Sequence, residues 1–131
     1  MGFLSKKDIQ KVDDIQIEVV EVPEWGGSVR VKGLGGLEGD LYTKSLVKGK
    51  GKKANVDLDN MTAKLVARCL VDDKGKRMLN QMEVAELGQK SAAALKRIYK
   101  VAAVLSGIDE EEQEDILKNS ESNQTNDSGT D

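Results

Sequence analysis

The chain contains no histidine. Without imidazole there is no Ser-His or Cys-His nucleophile and no histidine-bound metal. The side chain that most often serves as a general base near neutrality is also missing. A single cysteine, Cys69, leaves no partner for an intramolecular disulfide, so nothing points to an oxidising compartment. Aromatic residues number only four, Phe3, Trp25, Tyr42 and Tyr99. A core must therefore be built mostly from Leu, Val, Ile and Ala, which suits packed helices. No apolar run approaches the roughly 20 residues needed to cross a bilayer. The opening Met-Gly-Phe-Leu-Ser-Lys-Lys-Asp has no apolar stretch of signal-peptide length. Gly2 does not complete a myristoylation pattern, because Lys6 stands where a hydroxyl residue is required. Together these absences predict a soluble intracellular protein that is not an enzyme and binds no cofactor.

What is present fits one modest domain. In 131 residues, 38% are apolar and 33% charged, enough for one core but not for a core and a deep ligand pocket. The net charge of −3 is unevenly spread: from residue 109 onward there are nine acids and one lysine, whereas the preceding 108 residues carry nineteen Lys or Arg against fourteen acids. The body is mildly basic and the end acidic.

Residues 1–14 place Phe3, Leu4, Ile9 and Val12 among charges. They form either a short marginal helix or a mobile arm, and the arm is favoured, since an isolated helix this short is marginal in water. Ile15, Ile17 and Val19 alternate with Gln16 and Glu18, then the phase slips at Val20 and resumes at Val22, which predicts a bulge or two-sided burial. Pro23-Glu24-Trp25-Gly26-Gly27 is turn chemistry, and Val29 and Val31 continue the alternation. A β-hairpin over residues 15–33 is therefore expected, and it must pack on something else to be stable.

Leu34, Leu37, Leu41 and either Tyr42 or Leu46 recur at helical spacing, predicting an amphipathic helix from about Leu37 to Val47, weakened by Gly39. Residues 48–57 read as a flexible basic linker. Asp59 is expected to cap a helix whose inner face is Met61, Leu65, Val66, Cys69 and Leu70. Asp72-Asp73-Lys74-Gly75 should end it in a turn. Asn80 with Glu83 resembles a capping box for a short helix through Leu87. The most regular stripe, Leu95, Ile98, Tyr99, Ala102 and Leu105, ends at Gly107. Asp109 with Glu112 predicts a last acidic helix, and residues 119–131, with no apolar side chain, a disordered tail. The expected fold is α+β and mainly α. The hairpin packs on four to five short helices within residues 36–118, in one domain over 15–118.

Several residues invite a chemical reading. Cys69 lies on an apolar stripe, and a buried small hydrophobe explains it better than an activated thiolate. The run from Gly33 to Gly39 fails as a dinucleotide loop, because Glu38 occupies the third glycine position and no βαβ unit follows. Lys44, Lys48, Lys50, Lys52 and Lys53 could hold phosphates. They lack both the Walker spacing and interleaved aromatics, so nucleic acid is not the favoured partner. Asp57, Asp59, Asp72 and Asp73 do not meet the EF-hand pattern, and caps and turns account for them without a metal. Trp25 has two open readings: an anchor pinning the hairpin to the helices, or a partner-binding hot spot at its tip.

The run Val19-Val20-Glu21-Val22-Pro23-Glu24-Trp25-Gly26-Gly27-Ser28-Val29-Arg30-Val31, then Gly33-Leu34, resembles the N-terminal signature of phage tail assembly chaperones of long-tailed siphophages. Leu65-Val66-Ala67-Arg68-Cys69-Leu70-Val71-Asp72 with Lys74-Gly75-Lys76-Arg77 is similar to that family's helix and aspartate-glycine turn. Val84-Ala85-Glu86-Leu87-Gly88, Ser91-Ala92-Ala93-Ala94-Leu95 and Leu105-Ser106-Gly107 follow in the family's order. The resemblance spans roughly residues 5–108. It departs from the family where Gly35-Gly36 stand in place of a capping Thr or Ser. It implies a morphogenesis factor of the host cytoplasm that coats the hydrophobic tape measure protein and helps recruit tail tube subunits. Trp25, Leu37, Leu41 and Tyr42 are the candidate partner-binding residues. The alternative is a small nucleic-acid-binding or regulatory phage protein that uses the lysine-rich linker.

Overall fold

β-Branched residues and the Pro-Gly-Gly turn produce the hairpin. In the computed structural model, which describes residues 2–49, 51–53 and 55–108, β1 (Ile17–Val22) pairs antiparallel with β2 (Gly27–Lys32). The register runs unbroken from Ile17 opposite Lys32 to Val22 opposite Gly27. No bulge interrupts it. The phase slip resolves differently: Val20 and Val22 face the core, while Ile17 and Val19 are exposed. The expected inner face of β1 is thus its outer one, because the opposed Val20 and Val29 are the pair that packs on the helices. A 3-10 turn over Pro23–Trp25, closed by Gly26 at φ 76°, joins the strands.

The arm expected at residues 1–14 includes a short helix, α1 (Lys6–Lys11). Ser5 Oγ accepts the Asp8 N–H and the Asp8 carboxylate accepts the Ser5 N–H, a reciprocal cap. None of its residues is buried.

After β2 the chain enters α2 (Gly36–Ser45), which starts one residue before and ends two residues before its periodicity predicts, because Val47 turns into an extended pair. That pair, β3 (Val47–Lys48) with β4 (Asn55–Val56), places an antiparallel ladder inside the stretch expected as a flexible linker. Next comes α3 (Met61–Cys69), which buries Ala63, Leu65, Val66, Ala67 and Cys69. Asp59 is not its cap. Asn60 stands at that position in the left-handed region (φ 57°), which Asn tolerates. Asp57 instead accepts the Asp59 N–H, forming an Asx turn.

The helix stops one residue early: Leu70 and Val71 form β5, a third strand pairing antiparallel with β2 in the order β1-β2-β5. The Asp72 turn follows as expected, with Gly75 at φ 78° and the Asp72 carboxylate accepting N–H groups from Lys74 and Lys76. Asn80 and Glu83 form the predicted reciprocal cap, leading through a 3-10 turn into α4 (Val84–Leu87). The last described helix, α5 (Ala92–Leu105), is capped by Ser91 and buries Ala94, Leu95, Ile98, Ala102 and Ala103.

The fold is α+β and mainly helical, with the three-stranded sheet laid against α5 and α3. Its core runs through Val22, Val31, Leu65, Val66, Cys69 and Ile98, all without solvent exposure. Each fully buried aliphatic side chain stabilises by roughly 1.5–3 kcal/mol. Gly33 sets the approach of β2 to α5: a Cβ there would lie 2.6 Å from the Leu105 carbonyl oxygen. The predicted helix from Asp109 and the tail at 119–131 lie outside the described residues.

Candidate interaction surface

Of the four candidate partner-binding residues, Trp25 sits in the hairpin's 3-10 turn and packs against the core while keeping part of its surface open. The next residue back fixes its position. Glu24 receives two hydrogen bonds from Arg97 of α5, at 2.8 and 2.9 Å, in a fork-to-carboxylate pair. The Arg97 guanidinium holds the Glu24 carboxyl well down, to about 2, and the pair raises Arg97 in turn. The anchoring reading of Trp25 is the one this geometry favours.

Tyr42 is not available to a partner. It is 2% exposed and belongs to the core, together with Leu46 one turn later. Its hydroxyl is buried facing the Tyr99 phenol, and desolvation first, with Tyr99 second, pushes its ionisation above the ordinary range. Residues 41 and 42 are about 100° apart around a helix, so burying Tyr42 and Leu46 turns the other pair outward. Leu37 is 72% exposed and Leu41 38% exposed. Those two form an open apolar ridge on α2.

Sequence reasoning missed two further apolar surfaces. Phe3, Leu4, Ile9 and Val12 are all exposed on and around α1, a helix with no buried residue. The signal was present in the Ser5–Asp8 spacing, but an Asp in the reciprocal position is not the usual Glu or Gln. Ile17 and Val19 form the second, on the outer face of β1.

Two of the surface acids that the sequence singles out, Asp57 and Asp72, are committed to local structure. Asp57 is held low chiefly by the Asp59 N–H, with Lys48 at 3.5 Å and Lys64 at 3.8 Å as neighbouring cations. Asp72 is held low by the Lys76 and Lys74 amides. Among the described residues, no three His, Cys, Asp or Glu side chains come together as a metal cluster. The Cys69 thiol is completely buried, 3.9 Å from Ser106 Oγ, and burial pushes it up to about 11, far from a thiolate at neutrality.

Cations gather where the sequence did not point. Arg68 and Arg77 sit between two shallow grooves, one shared with Lys64 and Asp57 and the other with Lys32, Gly33 and Gly35. Arg68 pairs with Glu38 at 2.9 Å, bracing α2 against α3. Lys32 Nζ donates to the Gly75 carbonyl at 3.4 Å, and Arg77 Nε donates to the Leu79 carbonyl. Both grooves are open and lined by charged side chains, a poor shape for enclosing a small molecule. No helix among the described residues is long and apolar enough to cross a membrane. Comparison with protein-family models, with curated proteins and with solved structures returns no match.

Proposed function

We propose that this chain is a tail assembly chaperone, a non-enzymatic binding protein of the host cytoplasm that holds the tape measure protein during virion morphogenesis. The observation that carries the reading is the ordered run of motifs over residues 5–108, from Pro23-Glu24-Trp25-Gly26-Gly27 to Leu105-Ser106-Gly107, which resembles that family. The open apolar ridge of Leu37 and Leu41 and the exposed Phe3, Leu4, Ile9 and Val12 support it. They offer what an amphipathic helix needs in a partner: apolar contact at helical spacing, flanked by charge. Tail tube subunits would be recruited around the coated tape measure.

The nucleic-acid reading fares less well. Lys48, a member of the proposed phosphate patch, is drawn toward Asp57, and the segment 47–56 holds no aromatic side chain on which a base could stack. Co-expression with the tape measure protein of the same genome is the test. Co-purification and a gain in tape measure solubility are expected. Neither, at matched expression, would end the proposal.

A further inference from the structure

The groove at the end of β2 has an excess of positive charge. Its charged lining is Lys32, Arg68 and Arg77 against one acid, Glu38, in a depression of about 290 Å³. Arg68 is matched by Glu38, but neither Lys32 nor Arg77 pairs with a carboxylate among the described residues. Arg77 is exposed and has guanidinium donors to spare beyond the one given to Leu79.

The chain leaves α5 at this same groove. Gly33, on the groove wall, is in backbone contact with Leu105, and the Leu34 N–H donates to Ser106 Oγ at 3.0 Å. Three residues after Ser106 begins the most acidic stretch of the sequence: residues 109–115 contain six acids and no base. Those seven residues reach about 10 Å as the helix their sequence predicts and about 24 Å fully extended, so their carboxylates come within reach of a groove that begins where the chain leaves α5.

We propose that this groove is a binding site for a carboxylate-rich peptide, and that its occupant is the chain's own segment 109–115. Carboxylates of that segment meet Lys32 and Arg77 and approach the positive end of α2, where Gly35 offers no capping side chain. The acidic end then neutralises the basic wall of the body instead of repelling the solvent-facing acids elsewhere. The inference stands apart from the chaperone reading and does not depend on it.

A nitroxide on Gln113→Cys of the full chain tests it, since the buried Cys69 does not take the label. Amide relaxation is read at Gly33, Gly35 and Arg77 and compared with α4. Broadening at the groove several-fold stronger than at α4 is expected, falling toward the α4 level as NaCl rises from about 0.02 M to about 0.5 M. Lys32→Glu combined with Arg77→Glu should abolish the excess at low salt. The salt series on unaltered groove residues keeps the test valid if that variant fails to fold. Equal broadening at groove and α4, or a groove excess that ignores salt, would overturn the proposal. So would an excess seen only between labelled and unlabelled copies in a mixed sample.

Discussion

Two glycines six residues apart, Gly33 and Gly39, should respond to the same substitution with opposite sign. At Gly33, an added methyl would meet the Leu105 carbonyl oxygen at 2.6 Å and its carbon at 3.0 Å. Both atoms are backbone, so no rotamer can relieve the clash. Gly33→Ala must push the end of β2 away from the last turn of α5, lengthening the Leu34 to Ser106 hydrogen bond as it does so. Overpacking of this kind costs about 1–3 kcal/mol. At Gly39, inside α2, an added methyl meets nothing within 4 Å. There Gly39→Ala removes only the entropic penalty of a helical glycine and should stabilise by about 1 kcal/mol. For a domain of this size each kcal/mol moves Tm by roughly 4–8 °C. Urea unfolding followed by the fluorescence of Trp25, the only tryptophan, gives both values on one scale. The packing argument fails if Gly33→Ala lies within about 0.5 kcal/mol of the parent, the range of an ordinary surface change. It fails equally if Gly39→Ala is the more destabilising of the two.

Tyr42→Phe removes a buried hydroxyl whose polar neighbour is the Tyr99 phenol, and should cost no more than about 1.5 kcal/mol, the net worth of one neutral hydrogen bond; a loss of about 3 kcal/mol or more in urea unfolding would contradict that reading. Cys69, fully buried with its thiol raised to about 11, should resist a thiol reagent in buffer and react fully in denaturant; prompt labelling of the folded chain would contradict that burial. Glu24, whose carboxyl is drawn from 4.5 to about 2 by Arg97, contributes stability above its unfolded value that is lost as pH falls through that window. Glu24→Gln should therefore flatten the acid side of a Tm-against-pH curve, by an amount kept small because the pair is solvent-screened; an unchanged slope would remove the pair from the account.

The legible parts of the fold are those where local chemistry and tertiary packing agree. Pro23 through Gly27 could scarcely be anything but a turn, and the Asn80–Glu83 box and the Leu95–Leu105 stripe each carry their own signal. The faces were harder. β1 holds apolar residues on both parities, so alternation cannot say whether Val19 or Val20 turns inward; the pairing of Val20 with Val29 over the helices decides it. On α2, Leu37–Leu41 and Tyr42–Leu46 are both helically spaced pairs, and only the packing of α2 shows that the second is buried. The strand β5 follows directly on an apolar helix, and two residues have no period of their own. No local pattern links Lys32, Arg68 and Arg77, which come from three separate segments, so the basic groove is visible only once the chain is folded.

In the proposed chaperone role, the open ridge of α2 would take part in capturing an amphipathic helix. Titration of the purified chain with a helical fragment of the tape measure protein, compared with a Leu37→Ala, Leu41→Ala double variant, tests it most directly. Both leucines are exposed, so the variant should fold as the parent does. The account predicts saturable binding weakened at least about tenfold in the variant, as expected when two apolar anchors of about 1 kcal/mol or more are lost. Equal affinity for parent and variant, at equal stability, would contradict it.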